Sequence, residues 1–127
     1  MTETVRAWIS RAEYDLESAR TLLASKRNLH ALFFCQQSIE KALKGVIQFK
    51  TGTLAPRIHN LPRLAEIAGV SGDPDRMQLL AEFSTFYIES RYPAEIDQLA
   101  AATTNADAQR AVKQTEEIIE WLLSILN

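Results

Sequence analysis

From Val5 the apolar residues Trp8, Ile9, Ala12, Leu16, Ala19, Leu22 and Leu23 recur at intervals of three and four, the repeat that lays one apolar stripe along an α-helix. Thr2 or Thr4 can cap its start, and the pattern predicts a helix ending near Ser25. A second helix starts at Asn28 and carries Leu32, Phe33, Cys35, Ile39, Leu43, Val46, Ile47 and Phe49 to about Lys50, where Thr51-Gly52 stops it. Ala31 to Cys35 is apolar all round, so it calls for packing on more than one side, from other helices or from a second subunit. Gly52 to Arg57 reads as a loop. Asn60 then caps a short helix that tolerates Pro62 in its first turn and ends at Gly69.

Asp73-Pro74 is a restart, with aspartate as the cap and proline at the first helical position. Met77, Leu80, Phe83 and Tyr87 extend that fourth helix to about Arg91, because Pro93 disfavours helical geometry at Tyr92. Ala94 to Thr103 reads as an irregular stretch anchored by Ile96 and Leu99. Thr104 followed by Asp107 resembles a capping arrangement for a last helix whose inner face is Ala111, Val112, Ile118, Leu122 and Ile125. The expected architecture is all-α: an up-and-down bundle of four long helices and one short one, forming a single domain over residues 1–127.

Composition adds limits. The 127 residues are enough for one hydrophobic core, and 46% hydrophobic with 24% charged residues is ordinary for a globular chain. A net charge of −2 gives no global field for nucleic acid, so a polyanion site would have to be a local basic cluster. The N-terminus has no basic segment followed by an apolar run, and nothing approaches the roughly 18 apolar residues that span a bilayer. A cytoplasmic protein is expected. The single cysteine, Cys35, excludes an intrachain disulfide and reads as a buried thiol among Phe33, Phe34 and Ile39.

The polar residues of the second helix carry the candidate chemistry. Gln37, Lys41 and Lys44 share one stripe, with Gln36 and Glu40 beside it. Two lysines three residues apart can present two ammonium groups to one phosphate, although Glu40 is equally placed to pair with Lys44. Asp15 lies on the apolar stripe of the first helix, where a carboxylate needs a partner, and Lys41, Lys44 and Arg91 are the candidates. His59 either holds the entry of the short helix by bonding a backbone group or faces a ligand across from the lysines. Arg91-Tyr92-Pro93 offers a guanidinium for a phosphate and a ring for a base, or simply an arginine at a helix end. No histidine or cysteine set has zinc-like spacing, no glycine-rich phosphate loop precedes the lysines, and Ser38 lacks triad partners in the local sequence. No metal or cofactor is expected.

Taken in order, Trp8, Asp15-Leu16, Ala19, the run from Gln36 to Lys44, His59-Asn60-Leu61 and Arg91-Tyr92-Pro93 resemble the HEPN family, the higher-eukaryote and prokaryote nucleotide-binding domains. The resemblance implies a helical bundle, a homodimer, and a nucleotide or polyanion site built from Lys41, Lys44, His59, Arg91 and Tyr92, supported by Asp15, Gln37 and Glu40. It also implies a minimal nucleotidyltransferase as a protein partner, since many prokaryotic members are encoded beside one. HEPN ribonucleases carry an arginine followed four to six residues later by a histidine. Here Arg27 and His30, and Arg57 and His59, stand too close, and Arg20 stands too far from His30. The expectation is binding rather than catalysis, with a toxin-like RNA-cleaving enzyme as the alternative.

Overall fold

The computed structural model describes residues 1–127 as six helices with no strand. Helix α1 spans Glu3–Ala24 and starts where the Thr2 hydroxyl accepts the Val5 N–H at 3.2 Å. A tight turn, in which Lys26 takes the left-handed conformation with φ +60°, reverses the chain into α2, Asn28–Thr51. Gly52 closes α2 at φ +70°, a conformation that costs glycine nothing and other residues about 1 kcal/mol or more. These two helices form the main packed layer, and α6, Asn105–Ile125, lies against both. The shared core contains Val5, Ile9, Leu16, Ile39, Leu43, Val46, Ile47, Ile118 and Leu122, which join the predicted stripes of the three helices.

Gly45 sets how closely α1 and α2 approach. A Cβ there would lie 3.0 Å from Ile9 Cδ1 and 3.2 Å from Trp8 Cβ. Its absence lets the two helices touch along the polar segment of α2, where the Ser38 hydroxyl donates to the carbonyl of Ala12 at 2.7 Å. The short α3, Leu61–Ile67, and α4, Pro74–Ser84, close one side of α2, with Leu61, Leu64, Leu80 and Phe83 entering the core. Asn60 and Asp73 cap them through their side chains, as the sequence predicts.

The predicted fourth and fifth segments need correction: the structure has six helices rather than five. Helix α4 stops at Ser84, not near Arg91. Thr85 turns back on it by donating its hydroxyl to the Glu82 carbonyl at 2.7 Å, and the chain proceeds through successive turns to Arg91. Those turns allow Ile88 to bury against Leu29 and Phe33 in a small second core, a tertiary gain that a continued helix would forgo. The stretch expected to be irregular is α5, Pro93–Ala102. Pro93 does end helical geometry at Tyr92, but it also sits at the first helical position, where its missing N–H costs nothing.

Helix α5 touches the remaining helices only along α2, and none of its residues is buried. A hollow of about 520 Å³, lined among others by Leu32, Phe86, Leu99, Asp107 and Arg110, lies beside it. Thr104 and Asp107 form a full capping box at the start of α6, and Asn105 donates to the Asn28 side chain at 3.1 Å, tying that start to the start of α2.

Candidate functional site

The α2 polar stripe is an internal network, not an exposed ridge. Lys41 Nζ bonds Asp15 Oδ2 of α1 at 3.0 Å and Gln37 Oε1 one turn back at 2.9 Å. Gln37 Nε2 donates to Gln36 Oε1 at 2.7 Å, and Gln36 Nε2 donates to Glu40 Oε1 at 3.0 Å. On the far side of the carboxylate, Lys44 Nζ lies 3.1 Å from Glu40 Oε2, with side-chain exposures of 8% and 3% for the pair. Lys44 Nζ also lies 5.8 Å from the centroid of the Trp8 ring. Of the three candidate partners of Asp15, the fold selects Lys41. Burial of Asp15 makes a partner necessary, since an uncompensated buried carboxylate would cost several kcal/mol.

The network surfaces at His59. Its Nδ1 lies 2.9 Å from Glu40 Oε1, and its backbone carbonyl lies 3.5 Å from Gln36 Nε2. The imidazole stacks on Tyr87 with centroids 3.9 Å apart and planes 14° from parallel. Burial pushes the Tyr87 hydroxyl pKa above its ordinary value, with the charges of Glu89 and Glu40 adding to the effect. His59 thus holds the entry of α3 through a side-chain carboxylate rather than the backbone group that the sequence suggests.

His59 and Tyr87 line an open cleft of about 680 Å³, together with Asn60, Ser84, Ser90 and Arg91 among others. Ser84 Oγ accepts the Leu61 N–H at 2.9 Å, which binds α3 to the end of α4 beneath that cleft. Arg91 Nη2 donates to the Thr85 carbonyl at 3.0 Å, and Nη1 lies 3.7 Å from Glu95 Oε2, a loose contact one turn into α5. Arg91 Nε is buried without a hydrogen-bond partner.

The fold therefore divides the predicted site. His59 and Arg91, distant in sequence, share the cleft. Lys41 and Lys44 do not line it and are occupied by Asp15 and Glu40. Tyr92 is 76% exposed and also lies outside the cleft lining. Two residues carry more than the sequence assigns to them. Gln36 links Gln37 to Glu40, and a polar side chain one turn before a carboxylate on an inward face is its only signal. Tyr87, expected as a core position of a longer fourth helix, lines the cleft because that helix ends early.

Cys35 is buried as expected, and desolvation pushes its thiol up to about 11. A thiol held protonated has little nucleophilic character. No group of three or more histidine, cysteine, aspartate or glutamate side chains is placed to hold a metal ion. No helix is long and apolar enough to cross a membrane.

The all-helical bundle matches a known class of domain. The profile of the HEPN domain matches residues 5–126, and the chain belongs to that family. Among solved structures it is similar to TT1696 from Thermus thermophilus, at 24% identity and a TM-score of 0.83 over 98% of this chain and 100% of that one. It is also similar to ST0689, an archaeal HEPN homologue, at 26% identity and a TM-score of 0.78 over 99% and 100% of the two chains. No curated protein matches the chain.

Proposed function

We propose that this protein is a small HEPN module that binds a nucleotide or a related polyanion in the cleft between α3 and the α4–α5 turns, and that it does so without catalysing a reaction. The supporting observation is the meeting of His59 and Arg91 in one open cleft. Arg91 supplies a guanidinium that can exchange its loose contact with Glu95 for a phosphate, an interaction strengthened by charge on both partners. Tyr87 and His59 supply a flat stacked pair at one wall, and the exposed Tyr92 offers a ring to a base at the rim. Lys41 and Lys44 contribute indirectly, by neutralising the acids behind His59. The family resemblance adds a homodimer and a nucleotidyltransferase partner to this reading.

Titration calorimetry with AMP, ATP and GTP tests it. Binding should weaken about tenfold or more in Arg91→Ala, the loss expected for one charged hydrogen bond. Absence of binding, or binding indifferent to Arg91→Ala and His59→Ala, overturns the proposal.

The RNA-cleaving alternative has one observation in its favour. The residue types used by HEPN ribonucleases, arginine and histidine, line one cleft here although they are distant in sequence. It requires the isolated protein to degrade RNA and Arg91→Ala or His59→Ala to abolish that activity; intact RNA with wild-type protein rejects it.

A further inference from the structure

The hydrogen-bond network has a direction, set at its two ends by ammonium groups. Lys41 and Lys44 can only donate. Because Lys41 donates to Gln37, the side-chain oxygen of Gln37 must face it and the amide nitrogen must face Gln36. Gln36 in turn presents its oxygen to Gln37 and its nitrogen to Glu40. Lys44 donates to the other oxygen of the same carboxylate. Glu40 is thus an ionised acceptor approached by donors from both sides, and a third contact at 2.9 Å, His59 Nδ1, must also donate. A neutral ring that donates from Nδ1 carries its lone pair on Nε2.

We infer that Glu40 is the positioning residue of the cleft, holding His59 in the Nδ1–H form so that Nε2 is a hydrogen-bond acceptor for the bound ligand. This rests on the proposed ligand site and specifies its chemistry. Arg91 requires a negative oxygen, whereas His59 requires a neutral O–H or N–H. A bare sulfate at neutral pH satisfies the first and offers nothing to the second. A nucleoside phosphate satisfies both, through a sugar hydroxyl or a base amino group. The Tyr87 stack and the Gln36 bond to the His59 carbonyl hold the ring and its backbone in place, so the acceptor is preorganised before the ligand arrives.

Two measurements decide this separately. Long-range 15N–1H NMR of the full chain, at a pH where the imidazole is neutral, reads the tautomer of His59 without any ligand. The proton should be on Nδ1. In Glu40→Gln that preference should be lost, because a single amide oxygen cannot accept from Lys44 on one side and from both Gln36 and His59 on the other. A His59 proton on Nε2 in the wild type overturns the inference whatever the cleft binds, and this holds even if Glu40→Gln fails to fold. Calorimetry with AMP, its deoxyribose forms and IMP reads the second requirement. Removing the responsible hydroxyl or amino group should weaken binding about threefold to tenfold, the loss of one neutral hydrogen bond. The loss should shrink in Glu40→Gln. Equal affinity for all these compounds overturns the assignment of His59 as acceptor for the ligand. Failure of all of them to bind overturns the nucleotide reading, while the NMR result still decides the role of Glu40.

Discussion

The α1–α2 seam and the α4–α5 corner are built from similar residues and arranged in opposite ways. Along the seam, Asp15, Gln36, Glu40, Lys41 and Lys44 are satisfied by one another, and Gly45 brings the helices close enough for the pairing. At the corner, Arg91 contacts a carbonyl and a loosely placed carboxylate, Tyr92 is exposed, and α5 buries none of its residues. Charged groups in the dense region are paired with one another across helices, whereas Arg91 in the sparse region has only a backbone carbonyl and a long contact with Glu95 as partners. His59 belongs to both. Its Nδ1 is tied to the seam and its ring lines the cleft, so it passes the order of one region to the other.

Breaking the seam should cost the most. Glu40→Ala leaves Lys44 buried without its partner, and a loss of about 3–5 kcal/mol is expected in urea denaturation. A loss below about 1 kcal/mol would show that the pair is no part of what holds the seam. Gly45→Leu should cost about 1–3 kcal/mol by forcing α1 away from α2, measured in the same way. If it were neutral, close approach would not be what aligns the polar residues.

The corner should respond less. Thr104→Ala removes the cap at which the chain leaves α5 for α6, and about 1 kcal/mol is expected from thermal unfolding. The backbone N–H and hydroxyl of Thr104 hold the Asp107 carboxyl below the usual aspartate range, with Arg110 adding to the effect. Its folded pKa is the lower one, so its contribution is present above the ordinary aspartate pKa and is lost as pH falls through the depressed value. Acid unfolding of Thr104→Ala should accordingly show a shallower pH dependence in that range than the wild type. The gentlest probe is hydrogen exchange. Amides of α5 should exchange through local opening while those in the middle of α2 wait for global unfolding, and equal protection of the two would erase the contrast.

Much of this is legible in the chain before folding. Apolar residues spaced by three and four mark out α1, α2 and α6, and Asn60, Asp73 and Thr104 mark the helix starts where they occur, because capping is chemistry between residues two or three apart. The i,i+4 pairing of Glu40 with Lys44 is equally local. Pro93 reads as the end of one helix, and it also begins another, a choice that depends on where Ile88 finds its cavity.

Local spacing determined α1, α2, α3 and α6, the start of α4, the caps at Asn60, Asp73 and Thr104, and which polar residues share a turn, since each depends on atoms close along the backbone. Only the tertiary structure decided that Asp15 belongs to Lys41, that α4 ends before Tyr87, and that His59 meets Glu40 on one side and shares a cleft with Arg91 on the other. Those outcomes depend on burial, because the cost of an unpaired charge or an unfilled cavity arises only once helices distant in sequence have excluded water from between them.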